Sequence, residues 1–369
     1  MKFLHCAIML SYSSGIYQQM CWEQKAANIL GKDLTVKIFC PQNTYPNHEV
    51  VFPSRMSKST GFIKKAYAWF QIRKEFYNWL LNESSNYDVI LLRYSVHDPF
   101  LLNFLNKIKI PVYLVHHTLE LPELNSLGIL GKCRGQADSL LGRACISKAA
   151  GIIGVTHEIV EFEQTRIIKK KEKTLVYPNG VFLESKLFND NRSDIPEILF
   201  VASYFFEWHG LDLLLVNLKN TDEKFILHVV GNVEQADKEL AINDNRVIFH
   251  GQLSTKEIND LAQKCWVGLS SFALYRKGMH EACTLKVREY LSLGLPVYSG
   301  HRDIFPEDFS YYKNGAPDFD SILEFSKDVR VSSREHVFNC SESFINKVNL
   351  VDDLINQLER LNYSCESHD

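Results

Sequence analysis

The 369-residue sequence lacks the short glycine motifs that mark the commonest nucleotide-binding sites. No two of its 18 glycines are separated by a single residue, so the core of the dinucleotide-binding fingerprint is missing. The Gly-x-x-x-x-Gly-Lys-Ser/Thr motif of a P-loop is missing as well. These absences argue against a nicotinamide-dependent dehydrogenase and against a P-loop nucleoside triphosphatase.

The sequence also lacks paired cysteines, long apolar runs and an excess of basic residues. Its nine cysteines form no Cys-x-x-Cys pair, and many lie in apolar runs, so free thiols are expected rather than disulfides or a zinc site. No apolar run reaches the roughly 20 residues that a membrane-spanning helix needs, and no convincing signal-peptide cleavage site follows the apolar start. The net charge of -3 gives no general attraction to nucleic acid. We therefore expect a cytoplasmic protein that does not bind nucleic acid.

Short apolar runs alternate with helical segments along most of the chain. The runs cover 3–10, 34–39, 89–92, 112–115, 151–155 and 174–177 in the first half, and 198–202, 225–230, 247–249, 265–269 and 296–298 in the second. Such runs are typical of strands buried on both faces, and the helices between them indicate parallel sheets. With 46% hydrophobic residues the chain can form two cores. The pattern predicts an α/β protein with two doubly wound, Rossmann-like domains in tandem.

A polar stretch from Asn189 to Asp194 separates the two halves. It predicts an N-terminal domain over 1–188 and a C-terminal domain over 189–342. The final segment, 343–369, is amphipathic from Ser343 to Leu361 and is expected to cross back to the N-terminal domain. Because open α/β sheets bind ligands at the carboxyl ends of their strands, we expect those ends to line a cleft between the domains.

Two carboxylates eight residues apart, Glu281 and Glu289, flank the start of a predicted helix. The segment from Thr284 to Leu293 has helical spacing, and Gly294 is placed to cap its C-terminus. At a rise of about 1.5 Å per residue the pair spans about 12 Å, and the helix N-terminus between them favours anions. This arrangement suits a nucleoside-diphosphate sugar, which carries hydroxyls at both ends and phosphates in the middle. For the spacing alone, two solvated surface glutamates remain the alternative.

The two glutamates belong to a series of segments that occur in a fixed order. The segments are Tyr177-Pro-Asn-Gly-Val, 198–212, Val229-Val-Gly, and Glu281-x7-Glu289 followed by Gly294-Leu-Pro-Val. Together they resemble the retaining glycosyltransferases of family 4, whose fold is GT-B. The resemblance implies a hexosyltransferase-type enzyme that needs neither metal nor cofactor. It would move a sugar from a nucleoside diphosphate to a glycan or lipid-linked glycan acceptor, in bacterial surface polysaccharide synthesis by family habit.

The resemblance also implies roles for individual residues of the second half. Glu281 would hydrogen-bond the hydroxyls of the donor sugar as a catalytic residue, and Glu289 would hold the ribose hydroxyls. The main-chain amides near Thr284 and Leu285 would hold the diphosphate, together with basic side chains.

Two positions of the first half are site candidates by the same resemblance. His117 ends a predicted strand where the family has a histidine near the transferred sugar, and strand alternation turns His116 to the opposite face. A core histidine bonded to a backbone carbonyl is the alternative for His117. Gly15 follows the first strand, where the family often has a glycine-rich loop, and it is a candidate donor contact.

The sequence departs from the family pattern at Ser203 and His209, where members usually carry basic residues. A neutral imidazole would hold a diphosphate less well than an ammonium group, although nearby phosphates favour its protonated form. Lys286 is the main candidate to supply the missing charge. Arg276 and Lys277 are further candidate diphosphate contacts, with a solvated loop as the alternative. A non-catalytic nucleotide-sugar-binding subunit therefore stays open as another function. A nucleotide-sugar epimerase of the GT-B type stays open as well, because relatives with this fold can carry out other sugar chemistry.

A metal-dependent sugar transferase would need an Asp-x-Asp motif near a central strand. The sequence contains only Asp318-Phe-Asp320, beyond the last predicted strand. We expect a helix cap or a loop there, because aspartate is a preferred N-cap residue. No metal site is predicted.

The segment 62–81 combines lysines and arginine with aromatic residues at helical spacing. Its basic members are Lys64, Lys65, Arg73 and Lys74. Such a helix can lie on an anionic membrane surface, which would place the enzyme peripherally at the inner face of a membrane. The alternative is an ordinary helix whose aromatic face packs on the N-terminal sheet.

Overall fold

A computed structural model describes residues 1–57, 61–183, 188 and 190–363. These residues form two compact units, the first made of Met1–Pro178 and the C-terminal segment from Lys347, and the second of Asn179–Asn346. The chain therefore changes unit after Pro178 and again after Asn346, whereas the sequence suggested 188 and 342. Asn189 lies outside the described residues. The rest of the polar stretch, 190–194, belongs to the second unit, where Trp266 Nε1 donates to Ser193 O at 3.0 Å.

Unit 1 contains one parallel sheet with the strand order β3-β2-β1-β4-β5-β6-β7. The strands are β1 Phe3–Ile8, β2 Leu34–Gln42, β3 Val51–Ser57, β4 Val89–Arg93, β5 Val112–His116, β6 Gly151–Gly154 and β7 Thr174–Val176. The connecting helices are α1 Ser14–Leu30, α2 Phe62–Glu83, α3 Pro99–Leu105, α4 Glu120–Ser126, α5 Gly128–Lys148 and α6 His157–Thr165. The strand order reverses between β1 and β4, which makes this pair the topological switch point of the sheet.

Both faces of the unit 1 sheet are buried, as the continuous apolar runs predict. Leu91 and Val115 point into a core that α1 and the last helix of the chain, Lys347–Tyr363, complete. Leu92 and Leu114 point into a second core on the opposite face. The alternation of neighbouring residues along each strand thus builds two hydrophobic layers.

Unit 2 repeats this scheme with the strand order β10-β9-β8-β11-β12-β13. The strands are β8 Glu197–Tyr204, β9 Ile226–Asn232, β10 Val247–Gly251, β11 Val267–Leu269, β12 Val297–Ser299 and β13 Tyr312–Asn314. The helices are α7 Leu211–Val216, α8 Gln235–Glu239, α9 Thr255–Ala262, α10 Leu285–Ser292, α11 Phe319–Arg330 and α12 Arg334–Ile345, which makes the last helix α13. Two doubly wound α/β units confirm the predicted fold class.

Each predicted apolar run overlaps a strand, but β3 and β13 were not predicted. Both are edge strands. Exposed Pro53 and Arg55 interrupt the apolar pattern of β3, and β13 is short and polar. The amphipathic segment from Ser343 is also two helices rather than one, because Asn346 adopts an extended backbone between α12 and α13.

The structure bears on three further predictions, which concern Asp318, the cysteines and membrane-spanning helices. The Asp318 carboxylate caps α11 by accepting a hydrogen bond from Ser321 N at 2.8 Å, which confirms a helix cap. The eight cysteines that lie in the described part of the chain are free thiols. None of the described helices combines the length and the apolar character that crossing a bilayer requires.

The expected basic face of α2 is wrong at Arg73. This side chain is buried, and its Nε lies 2.9 Å from Asp98 Oδ2 while its guanidinium covers the Trp69 ring at 3.9 Å. The second half of the helix turns inward, with Phe76 and Leu80 fully buried. Arg73 therefore packs in the interior of unit 1 and does not contribute to a basic surface.

A fully buried ion pair fixes α10 within unit 2. The side chains of Arg288 and Asp303 have no exposed surface, and Nη2 donates to Oδ1 at 2.6 Å beside a second, parallel hydrogen bond. Burial disfavours the charge, but Asp303 holds the pKa of Arg288 above its usual range. Arg288 Nε also donates to Asn179 O at 3.2 Å, and Asn179 Nδ2 donates to Cys283 O at 2.8 Å. The N-terminal end of α10 is thereby held at several points.

We expect Asp303→Ala to lower the free energy of unfolding by about 3–5 kcal/mol, because it leaves a buried guanidinium uncompensated. Calorimetry and chemical denaturation measure this loss. Glu223→Ala is the control, since Glu223 pairs with Lys327 at 3.5 Å through side chains that are about half exposed. It should cost at most about 1 kcal/mol. Equal effects of the two substitutions would contradict the role given to the buried pair.

Candidate functional site

A cavity of ≈ 370 Å³ opens in unit 2 at the carboxyl ends of β8 and β11. Open α/β sheets bind ligands at this edge. Its polar and aromatic lining comprises Phe200, Ser203, Tyr204, Phe206, Trp208, His209, Ser270, Ser271, Thr284 and Lys286. Four of the residues singled out from the sequence, Ser203, His209, Thr284 and Lys286, thus meet in one cavity.

The N-terminus of α10 borders this cavity. Thr284 is the N-cap residue with extended backbone angles, and its side chain makes no capping hydrogen bond. Its Oγ1 lies 3.5 Å from Ser270 Oγ instead. Leu285 begins the helix, and the first turn contains no acidic residue. Since the first amides of a helix carry partial positive charge, this end of the cavity favours an anion.

The two glutamates occupy different environments. Glu281 is buried before α10, where its backbone pairs with Arg302 in an isolated β-bridge. Glu289 lies on α10 and forms an ion pair with Lys286, three residues earlier, and both side chains are partly exposed. Lys286 therefore touches both the cavity and the second glutamate.

His209 brings no positive charge to the cavity at neutral pH. It ends a short 3-10 helix, Glu207–His209, and its Nδ1 accepts a hydrogen bond from Phe206 N at 3.0 Å. Burial lowers the pKa of His209 below its usual value, and the charge of Lys277 lowers it further. Lys286 is consequently the one permanently charged cation among the described residues that line the cavity.

Arg276 and Lys277 end a short 3-10 helix, Leu274–Lys277, and both side chains contact other groups of unit 2. Arg276 forms two parallel hydrogen bonds to Asp212, at 2.9 and 2.8 Å, and donates to Glu207 O at 2.6 Å. The Lys277 ammonium stands over the Trp208 ring at 4.5 Å. A diphosphate would have to compete with Asp212 for Arg276.

The remaining two candidates belong to unit 1. His117 follows β5, and Gly15 is the second residue of α1. Burial and the charge of Arg93 lower the pKa of His117 well below its usual value, so its ring is neutral. Its Nε2 atom is buried and has no hydrogen-bond partner among the described residues. His116 points the other way, stacked on Tyr94 at 4.4 Å between ring centres.

The donor atoms of the cavity do not form a metal site. Its described lining includes no aspartate, glutamate or cysteine. Two groups of metal-ligating side chains lie elsewhere in the described chain: Glu197, His228 and Cys265, and His116, Glu120 and Glu163. In both groups the histidine is hydrogen-bonded to a glutamate, at 2.9 Å for His228 and 3.1 Å for His116.

Sequence reasoning missed several residues that shape this site. Arg288 and Asp303 hold α10, and Tyr290 OH accepts a hydrogen bond from Val201 N of β8 at 2.9 Å. The aromatic wall formed by Phe206 and Trp208, whose rings stack at 4.4 Å, was also missed. One sequence signal could have identified the buried ion pair: Arg288 occupies a position of the predicted amphipathic helix where an apolar residue is expected.

A family model matches part of unit 2, which holds this cavity. Residues 195–311 match the family model for glycosyl transferases group 1. No curated protein sequence matches the chain.

Solved structures resemble the chain over nearly its whole length. The apo form of the lipopolysaccharide outer core galactosyltransferase WaaB has 14% identity and a TM-score of 0.66, covering 98% of this chain and 99% of its own. Anabaena Alr3699/HepE in complex with UDP has 12% identity and a TM-score of 0.65, with 98% and 100% covered. A glycosyltransferase from Rickettsia africae ESF-5 has 15% identity and a TM-score of 0.60, with 98% and 99% covered. The chain has the GT-B fold of these glycosyltransferases, and its residues 195–311 match the glycosyl transferases group 1 family.

Proposed function

We propose that the protein is a metal-independent, retaining glycosyltransferase that moves a sugar from a nucleoside diphosphate to a glycan or lipid-linked glycan. The observation that carries the donor assignment is the cavity at the N-terminus of α10, lined by Thr284 and Lys286. The cavity combines backbone amides and an ammonium group with a lining that lacks carboxylates among the described residues. Such a lining suits a diphosphate held without a metal ion.

The chemistry follows from where charge develops. As the glycosidic bond of the donor breaks, negative charge grows on the leaving diphosphate. The α10 amides and Lys286 would stabilise that charge in the transition state, which lowers the barrier. The Lys286 ammonium group is paired with Glu289. Binding of a diphosphate would share this ammonium group and leave Glu289 able to accept hydrogen bonds from ribose hydroxyls.

The nature of the substrates is part of the proposal. HepE has been solved in complex with UDP and in complex with UDP-glucose, so UDP is the first probe for the donor site. WaaB is a lipopolysaccharide outer core galactosyltransferase. By extension we propose a bacterial surface polysaccharide as the product of this enzyme.

Substitutions of the two glutamates should impair different properties of the enzyme. Glu281→Gln is expected to lower kcat by about 100-fold or more with little change in UDP affinity, because it alters contacts to the reacting sugar. Glu289→Ala should chiefly weaken UDP binding, by about 10-fold or more, through loss of charge-assisted hydrogen bonds. UDP release assayed with and without acceptor, in the presence of EDTA, gives the rates, and calorimetry gives the affinities.

Glu324→Ala on the exposed face of α11 is the matched control and should behave as wild type. If both site variants also behaved as wild type, the donor site would lie elsewhere. Turnover that stopped in EDTA would contradict metal independence. Formation of a sugar isomer without acceptor would point to the epimerase alternative.

The donor affinity should depend on pH through His209. Its pKa lies below the usual value, so the imidazole is neutral at pH 7.5 and gains a proton only as the pH falls through that lowered pKa. The added positive charge should strengthen UDP binding severalfold at pH 5.5 relative to His209→Gln. Calorimetry should be run on both proteins from pH 5.5 to 7.5. Protonation of UDP itself affects both profiles equally, so the difference between them reports on His209. Parallel profiles would show that His209 does not face the diphosphate.

Peripheral membrane contact through the first half of α2 is a further part of the proposal. Lys64 and Lys65 are exposed there, beside Tyr67 and Phe70, whose side chains are more than half exposed. Sedimentation with anionic vesicles should recover the protein, and Lys64→Gln/Lys65→Gln should reduce that recovery. Lys219→Gln/Lys224→Gln in unit 2 is the matched control. Absence of wild-type binding, or equal binding by both double variants, would refute the idea.

A further inference from the structure

An arginine lies at the switch point of the unit 1 sheet, and it has no role in the donor cavity of unit 2. Arg93 is the last residue of β4, and β4 pairs with β1 where the strand order reverses. Ligands of doubly wound sheets bind outside the carboxyl ends of the strands at this point. Arg93 therefore stands at the position where unit 1 is expected to hold a ligand.

Strand register places Arg93 beside His117 and under the start of α1. Arg93 pairs with Val115 on β5, and alternation puts Arg93, Val115 and His117 on one face of the sheet. This face is the one that α1 covers, since Met20 packs in the same core as Val115. The first turn of α1 follows β1 at the same edge. The guanidinium, the imidazole and the helix N-terminus thus share one face and one edge of unit 1.

Arg93 is partly buried, and it differs from the arginines with buried side chains in lacking a partner among the described residues. Arg73 is bound by Asp98, Arg166 by Asp138, and Arg288 by Asp303. Arg334 instead donates to backbone carbonyls. The Arg93 side chain makes neither a hydrogen bond nor an ion pair with any of the described residues.

The positive charge of Arg93 is only partly balanced by nearby acidic groups. The carboxylate whose charge acts on it is Glu120, and Glu120 accepts a hydrogen bond from His116 at 3.1 Å instead. Burial lowers the pKa of Arg93 to about 10, so it remains charged at neutral pH. Arg93 is partly exposed, so its planar guanidinium can offer its N–H donors to a ligand at this edge.

The start of α1 adds to the positive potential at this edge. The helix runs for 17 residues, its N-cap Ser13 makes no side-chain cap, and its first turn contains no acidic residue. Tyr45 OH fixes the preceding loop by accepting from Ser13 N at 3.2 Å and donating to Ser11 O at 3.3 Å. The helix dipole therefore acts in the same direction as the Arg93 charge.

An aromatic cluster lies next to this charge. The Tyr45 ring is 5.1 Å from Tyr12 and 5.2 Å from Tyr17 between centroids, and Tyr12 is about half exposed. The charge of Arg93 also acts on Tyr45, which places the arginine close to the cluster. Tyr45 is buried, so Tyr12 is the member whose exposed ring face suits the apolar face of a sugar ring.

We propose that unit 1 binds an acidic sugar of the acceptor, with Arg93 holding its carboxylate or phosphate through a two-pronged hydrogen bond. The planar guanidinium matches either group, and the tyrosine cluster takes the adjoining sugar ring. This inference rests on the proposed function, a transferase with a glycan or lipid-linked glycan acceptor, and it adds that unit 1 binds the acceptor. It defines the acceptor as anionic.

The test measures binding of small acidic sugars to the full chain with saturating UDP present. Methyl glucuronide and glucose 6-phosphate provide the carboxylate and phosphate arms, and methyl glucoside is the neutral comparator. Ligand-observed NMR titrations should show tighter binding of at least one acidic sugar than of the neutral one. Arg93→Gln should weaken that binding about 10-fold or more, whereas Arg93→Lys should retain part of it.

Arg143→Gln, at an exposed basic position of α5, is the matched control and should bind as wild type. Thermal unfolding checks that each variant is folded. Equal binding of acidic and neutral sugars by the wild type, or no binding of either, would overturn the proposal. So would an Arg93→Gln variant that loses UDP affinity and keeps acidic-sugar affinity, because the guanidinium would then serve the donor.

These outcomes are independent of catalysis. Loss of transferase activity in Glu281→Gln bears on the proposed function and leaves sugar-acid binding unchanged. Turnover with neutral acceptors alone, unaffected by Arg93→Gln, would overturn the acidic acceptor while the transferase function stood.

Discussion

The arrangement of unit 2 depends on the buried ion pair between Arg288 and Asp303. Neither side chain reaches solvent, so the two charges can be accommodated only in the geometry that pairs them. That geometry fixes α10 from its second turn. Through Asn179 the same group of contacts reaches the backbone of Cys283, immediately before the N-cap residue. The position of the helix N-terminus is thus set by contacts in the protein interior and not by the cavity that it borders.

A site built this way draws its positive potential from the backbone. His209 is neutral, Arg276 is committed to Asp212, and Lys286 is shared with Glu289. The amides of α10 are therefore the fixed contribution, and Lys286 is an adjustable one. At the switch point of unit 1, by contrast, a side chain supplies positive potential. Arg93 carries a full charge there without a partner among the described residues. The two units differ in how they present charge although their folds follow the same scheme.

The fold could largely be predicted from the sequence because buried parallel strands give continuous apolar runs. The edge strands β3 and β13 could not, since Pro53 and the polar residues of β13 break that pattern. The predicted helix from Thr284 to Leu293 is close to the observed Leu285–Ser292, because N-cap and C-cap residues are local signals. Arg73 was misassigned because its partner Asp98 lies on another element, and helical spacing does not reveal such a partner. Arg93 was missed for the related reason that the importance of its charge lies in its surroundings.

The measurement that tests the account most directly is a crystal structure of the protein with bound UDP. The account predicts that the diphosphate lies at the N-terminus of α10, within hydrogen-bonding distance of the amides at Thr284 and Leu285 and of Lys286. The ribose should then lie towards Glu289. Phosphates bound away from Thr284, with the cavity in unit 2 empty, would contradict the account.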